Sequence, residues 1–179
     1  MTVPLLRPFP GLRPTPDHAA EVAAPPYDVL SSDEAREMAA DKPLSFLHIS
    51  KPEIDLPPGT DVYAPQVYAK GAENLRALTE RRVLVQDAKP CFYVYRLMMG
   101  QHVQTGIVGG GSVAAYDINR IRKHEFTRPD KEDDRVRQID ACNAQTGPVL
   151  LAHRNHPAIA AAIATVTKSA PAYRVTAAD

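Results

Sequence analysis

The sequence predicts an α+β or mixed α/β fold, a small mixed sheet with flanking helices, and three observations carry that expectation. Tyr63, Val67, Tyr68, Leu75, Leu78 and Val83 recur at roughly helical spacing through residues 61–82, which predicts the longest helix. Two β-rich runs, residues 91–98 and 102–108, are joined by Met99-Gly100-Gln101, a short connection suited to an antiparallel hairpin. A polar run beginning at Pro129 has the composition of a helix start, with acids that complement the dipole.

The elements follow in chain order. Seven of the 17 prolines fall within the first 26 positions, so residues 3–30 are predicted extended rather than helical, each proline locking φ and removing a donor. Ser31 or Ser32 followed by Asp33 and Glu34 starts a short helix through about Ala40, which Lys42-Pro43 ends. Leu44-Ser-Phe-Leu-His-Ile-Ser50 reads as a strand and Pro52 to Gly59 as a loop. After the hairpin, Gly109-Gly-Gly-Ser112 leads into helix signals. A helix over about 129–143 follows, then a strand at Pro148–Ala152, a helix at about 156–168 and a last strand near Tyr173–Val175. No internal repeat and no linker divides the chain, so residues 1–179 are expected to form a single domain.

Composition narrows the function classes. With 44% hydrophobic and 23% charged residues, the chain has enough apolar surface for a core, which excludes disorder, collagen and coiled coil. Lys plus Arg (21) balance Asp plus Glu (21), so no global field recruits nucleic acid or an anionic membrane. Cys91 and Cys142 lie far apart without CxxC spacing, which suggests neither a disulfide framework nor a zinc knuckle. No segment has the length and apolarity of a signal peptide or membrane span, and a cytoplasmic protein is expected.

Several segments match only fragments of known catalytic motifs. Gly106-Ile-Val-Gly-Gly-Gly-Ser112 lacks the lysine and hydroxyl that a phosphate loop needs, so a glycine-permitted bend is expected there. His153-Arg-Asn-His156 has metal-compatible spacing but no third ligand, and Cys142 has no adjacent base. Asp28 follows Pro25-Pro26-Tyr27 on a rigid loop, where an acid must be exposed, paired or functional.

The unusual stretch is residues 124–135, with five acids, three permanent cations and His124, preceded by Arg120, Arg122 and Lys123. Thr127 with Asp130 three residues later resembles a capping box. On the helix that follows, Lys131 and Arg135 share a face reaching toward Gln138 and Cys142, while Glu132, Val136, Ile139 and Asn143 form the adjoining face. Such a composition suits either a solvated, salt-bridged helix or a phosphate site that keeps a carboxylate and an imidazole for proton transfer.

Arg7-Pro-Phe-Pro-Gly-Leu-Arg13, Ala24-Pro-Pro-Tyr-Asp-Val29, Phe46-Leu-His-Ile49 and above all Lys123-His-Glu-Phe-Thr-Arg-Pro-Asp-Lys-Glu-Asp-Asp-Arg135 resemble the domain-of-unknown-function family 1015, from about residue 5 to the end. Members are about twice this length, which implies that these residues correspond to an N-terminal half whose active site another half completes. The resemblance also implies an architecture similar to the partition-protein and sulfiredoxin-like fold, which includes kinases of free serine, and a setting near serine biosynthesis. Phosphoryl transfer on serine or phosphoserine is the activity this suggests, with magnesium and a nucleotide as candidate cofactors. Carried over by motif position, His124 and Glu125 become acid or base candidates. Thr127, Arg128, Lys131 and Arg135 become phosphate binders, and Asp28, Glu132 and Asp134 orienting groups or magnesium ligands. The alternative is a nucleotide- or nucleic-acid-binding module, against which stand the zero net charge, the absence of Trp and the interleaved acids.

Overall fold

A computed structural model describes residues 4–124 and 126–176. In chain order the elements begin with strand β1 (Leu6–Arg7), strand β2 (Leu12–Pro14), a 3-10 turn at Pro16–His18, helix α1 (Ala19–Val22), a second 3-10 turn at Tyr27–Val29 and helix α2 (Ser32–Ala39). Next come α3 (Leu47–Ser50), a 3-10 turn at Pro52–Asp55, α4 (Pro65–Glu80), β3 (Leu84–Gln86), β4 (Tyr93–Met99) and β5 (His102–Val108). The last elements are β6 (Gly110–Gly111), α5 (Val113–Asp117), α6 (Pro129–Cys142) and α7 (Pro157–Val166). The α+β class holds, but where a single small sheet is expected, each sheet among the described residues has two strands.

The chain forms two compact units, each discontinuous in sequence. The first comprises Met1–Arg13, Gln86–Phe126 and Leu151–Ala172; the second comprises Pro14–Val85, Thr127–Leu150 and Tyr173–Asp179. Because both are assembled from separated stretches, no linker marks a boundary.

In the first unit, β4 and β5 form the expected hairpin, paired from Tyr93↔Val108 to Met99↔His102, with Gly100 at φ +57° in the turn. Here β1 runs antiparallel to β6. A Cβ on Gly109 would lie 2.9 Å from the Phe92 ring and 3.2 Å from the Arg7 carbonyl, so the glycine run serves close backbone approach. The Arg7–Arg13 motif is also structural. Arg13 forks onto Asp87 through Nε (2.9 Å) and Nη2 (2.7 Å), Tyr93 donates its hydroxyl to Asp87 at 2.7 Å, and Gly11 N–H donates to that hydroxyl at 2.7 Å.

In the second unit, α4 buries Val67, Tyr68, Gly71, Leu75 and Leu78 along one stripe. Val22, Leu44, Ile49, Leu75, Leu78, Val83 and Leu84 form the main core, and Ala35, Ala39, Leu47 and Ile54 a second cluster under α2. The capping box expected at α2 is present, Ser31 Oγ accepting from Glu34 N–H and Glu34 accepting from Ser31 N–H.

Four expectations are corrected. Residues 44–50 are not a strand: Leu44, Ser45, Leu47, Ile49 and Ser50 are all buried, a pattern without strand alternation. Ser45 Oγ accepts Leu47 N–H and Ser50 Oγ donates to Phe46 O, closing a helical turn. Residues 3–30 are not wholly extended, because no proline interrupts positions 17–24 and α1 forms there behind Pro16. Pro148–Ala152 forms no strand, since Pro148 lacks an N–H and Val149 and Leu150 lie exposed without a paired neighbour strand. Tyr173–Val175, just after Pro171, is likewise irregular.

The Phe46–Ile49 motif supplies a half-buried polar cluster beside the core. His48 Nδ1 lies 2.8 Å from Asp55 Oδ1 and Nε2 lies 3.2 Å from the Lys42 carbonyl. Asn74 donates to Asp55 and to the His48 carbonyl, both at 2.7 Å. Two acceptors on one imidazole require two N–H donors, so His48 is held as the imidazolium. The hydrogen bond to Asp55 raises its pKa against the burial that lowers it, with the Lys42 and Ala39 carbonyls adding to the rise. Burial pushes the Asp55 carboxyl up, but His48, Asn74 and the nearby Lys70 outweigh it and hold the carboxyl below its ordinary value. The imidazolium's contribution to stability is therefore complete below the ordinary histidine range and disappears as pH rises through the raised value. The melting temperature should fall as pH rises through and above the ordinary histidine range, by an increment that His48→Gln removes. An unchanged pH profile in that variant would contradict the assignment.

Candidate functional site

Helix α6 brings together part of what its sequence suggests. It begins at Pro129 as expected, but its N-cap is Arg128 and no side chain caps it, so the capping box assigned to Thr127 is not formed. Thr127 is exposed, and Arg128 turns its guanidinium onto Asp130 at 2.7 Å instead. The helix ends at Asn143 in the left-handed region, φ +48°.

One face of α6 packs on α4. Gln138, 2% exposed, donates to the Ile49 carbonyl at 2.9 Å and lies 3.4 Å from Cys142 Sγ. Burial pushes the Cys142 thiol up, which suits a packed thiol and not a nucleophile. Toward the helix start the same face becomes polar. Asp134 accepts from the buried Tyr68 hydroxyl at 3.0 Å, and Arg135 Nη2 and Nε donate to its other oxygen at 2.6 and 3.1 Å. The Arg135 guanidinium lies 4.3 Å from the Tyr27 ring centroid. Lys131 Nζ donates to the Tyr63 hydroxyl at 3.1 Å and sits 5.6 Å from that ring.

The electrostatics follow from this geometry. Burial, reinforced by the Asp134 carboxylate, pushes the Tyr68 phenol up to about 12, so Tyr68 stays a donor. The Tyr63 hydrogen bond raises the Lys131 pKa, so this ammonium stays charged. Among the described residues no carboxylate lies within ion-pair distance of Lys131, whereas Arg135 is tied to Asp134 and retains Nη1 for another partner.

Of the other candidates, Asp28 is exposed on the Tyr27–Val29 turn, next in chain to the ring under Arg135. Glu132 is exposed, and His124 is exposed and belongs to the first unit. Glu125 lies outside the described residues. Among the described residues no three His, Cys, Asp or Glu side chains converge to hold a metal ion, so Asp28, Glu132 and Asp134 do not make a metal centre by themselves. His156, read for metal spacing, accepts Ala158 N–H as the cap of α7.

A family model described as a protein of unknown function (DUF1015) matches residues 6–179. The chain belongs to the DUF1015 family. No curated protein and no solved structure matches it. In this DUF1015 chain no helix among the described residues is long and apolar enough to cross a membrane. The tyrosines around α6 are what residue-level reading overlooks, because Tyr63 and Tyr68 count there only as apolar positions. A tyrosine on a buried helical stripe needs a partner for its hydroxyl, and that requirement is the signal that could have linked Tyr68 to an acid on a neighbouring element.

Proposed function

We propose that the α6 face formed by Lys131 and Arg135 holds the phosphoryl group of a small serine-like phosphate ester, and that the protein is a phosphatase or kinase for such a substrate. The observation that supports this reading is a pair of cations one turn apart, each oriented by a tyrosine, with Lys131 free of any described carboxylate. An ammonium with open donors and a guanidinium whose fork is fixed by Asp134 suit phosphate oxygens. In the proposed reaction the bond from phosphorus to the serine oxygen breaks as a new bond to water or to a nucleotide phosphate forms. The leaving serine oxygen takes up a proton, which the attacking water supplies on hydrolysis and solvent supplies on transfer to the nucleotide. The same helix exposes Asp130, Glu132 and Asp133, and their repulsion of a polyphosphate backbone favours a small substrate over nucleic acid.

Phosphorus NMR of O-phosphoserine with the protein and magnesium, with and without ADP, tests the activity. Release of inorganic phosphate identifies a phosphatase, and appearance of ATP identifies transfer to the nucleotide. Lys131→Met should slow turnover about tenfold to a hundredfold, the weight of one charge-assisted hydrogen bond. Equal turnover in Lys131→Met would overturn the role of the α6 face.

A further inference from the structure

Outside the α6 face, the first unit carries a groove of about 530 Å³ between the hairpin and α7, within the range of ligand clefts. Arg96 and Thr105, register partners on one face of the hairpin, line one side. Ile159, Ala160, Ile163 and Ala164, one continuous face of α7, line the other. His153 and Asn155 line it just before the start of α7, and none of the nine lining residues is acidic.

We infer that this groove binds a small oxyanion carried on a short aliphatic body. The anion requirement comes from Arg96. Its Nε donates to Thr105 Oγ1 at 3.1 Å, and among the described residues no carboxylate pairs with its guanidinium, so both terminal nitrogens have donors to give. His153 adds a second polar group. Its Nδ1 lies 2.8 Å from the Arg154 carbonyl, which can only accept, so Nδ1 carries the hydrogen, and Nε2 donates to an oxyanion only when the ring is protonated. The aliphatic requirement comes from α7, whose Ile159 and Ile163 lie one turn apart toward the groove while no residue of the helix is fully buried. A helix this apolar gains by covering that face. Carboxylates and phosphate monoesters with a few carbons share this chemistry.

Titrations of the full chain with hexanoate, hexyl phosphate, hexanol and inorganic phosphate, followed by amide NMR, test the inference. Hexanoate or hexyl phosphate should shift signals of β4, β5 and α7, whichever binds more tightly identifying the headgroup. Hexanol and inorganic phosphate should bind at least tenfold more weakly, because each lacks one half of the ligand. Arg96 is exposed, so Arg96→Met should leave the hairpin intact and weaken the tighter probe at least tenfold, and Ile163→Ala should weaken it several-fold. Hexanol binding as well as hexanoate, an unaffected Arg96→Met, or no shift at 10 mM of either amphipathic anion would overturn it. Because the groove lies in the first unit and shares no residue with α6, its failure leaves the phosphoserine reading untouched.

Discussion

Ile49→Ala is expected to destabilise the second unit by about 2–5 kcal/mol, the range for truncating a large buried aliphatic side chain. Ile49 is fully buried in the main core with Leu75, Leu78 and Val83, on a four-residue helix that has little propensity of its own. Its backbone also matters, since the Ile49 carbonyl accepts the hydrogen bond from Gln138 that holds α6. A cavity there lets α3 shift, and the Gln138 amide then loses its acceptor inside the protein. Denaturant unfolding gives the change directly. Ile49→Val should cost only about 0.5–1.5 kcal/mol, so the two variants together separate lost volume from a disturbed backbone.

Gly71→Val is expected to cost about 1–3 kcal/mol through overpacking. A Cβ at Gly71 would lie 2.9 Å from Pro52 Cγ, 3.0 Å from Gln138 Nε2 and 3.3 Å from the Ile49 carbonyl. The proline ring cannot swing aside, and moving Gln138 breaks its bond to Ile49. Valine adds two methyl groups to that crowding and a β-branch inside a helix. Gly71→Ala carries the same Cβ and should also destabilise, by less than valine because it adds no further methyl groups and regains up to about 1 kcal/mol of helix propensity. The contact also reaches the candidate site, since Gln138 lies one turn from Asp134 and Arg135. A Gly71→Val protein that melts like the parent would mean that α4 and α6 pack less closely than described.

The long elements are legible because their pattern and their tertiary role agree. Helices α2, α4, α6 and α7 follow from caps, prolines at the first turn and apolar spacing, and the β4–β5 hairpin from two β-rich runs around Gly100. The short ones are not legible. Leu44–Ser50 has the composition of a strand, yet contact with Val22, Leu75 and Leu78 and two serine hydrogen bonds fold it as a turn and α3. The shared face of Lys131 and Arg135 follows from their spacing. What surrounds it does not, because Tyr27 comes from the second 3-10 turn and Tyr63 and Tyr68 from the stretch around the start of α4, both separated by many residues from α6 in the chain. The resemblance motifs divide in the same way. Arg7–Arg13 and Phe46–Ile49 form structural clusters around Asp87 and Asp55, whereas Lys131 presents an exposed ammonium bound, among the described residues, only to a tyrosine hydroxyl, and Arg135, tied to Asp134, keeps Nη1 for another partner.

Recognition of a phosphoryl group by Lys131 and Arg135 is tested more directly by a binding titration than by turnover. Amide NMR of the full chain with O-phosphoserine and with serine should show shifts along α6 for the phosphorylated compound only. The double variant Lys131→Met, Arg135→Met should weaken that binding about a hundredfold while the Gln138 and Ile49 signals stay in place. Equal binding of serine, or undiminished binding of phosphoserine by the double variant, would refute phosphoryl recognition at this face.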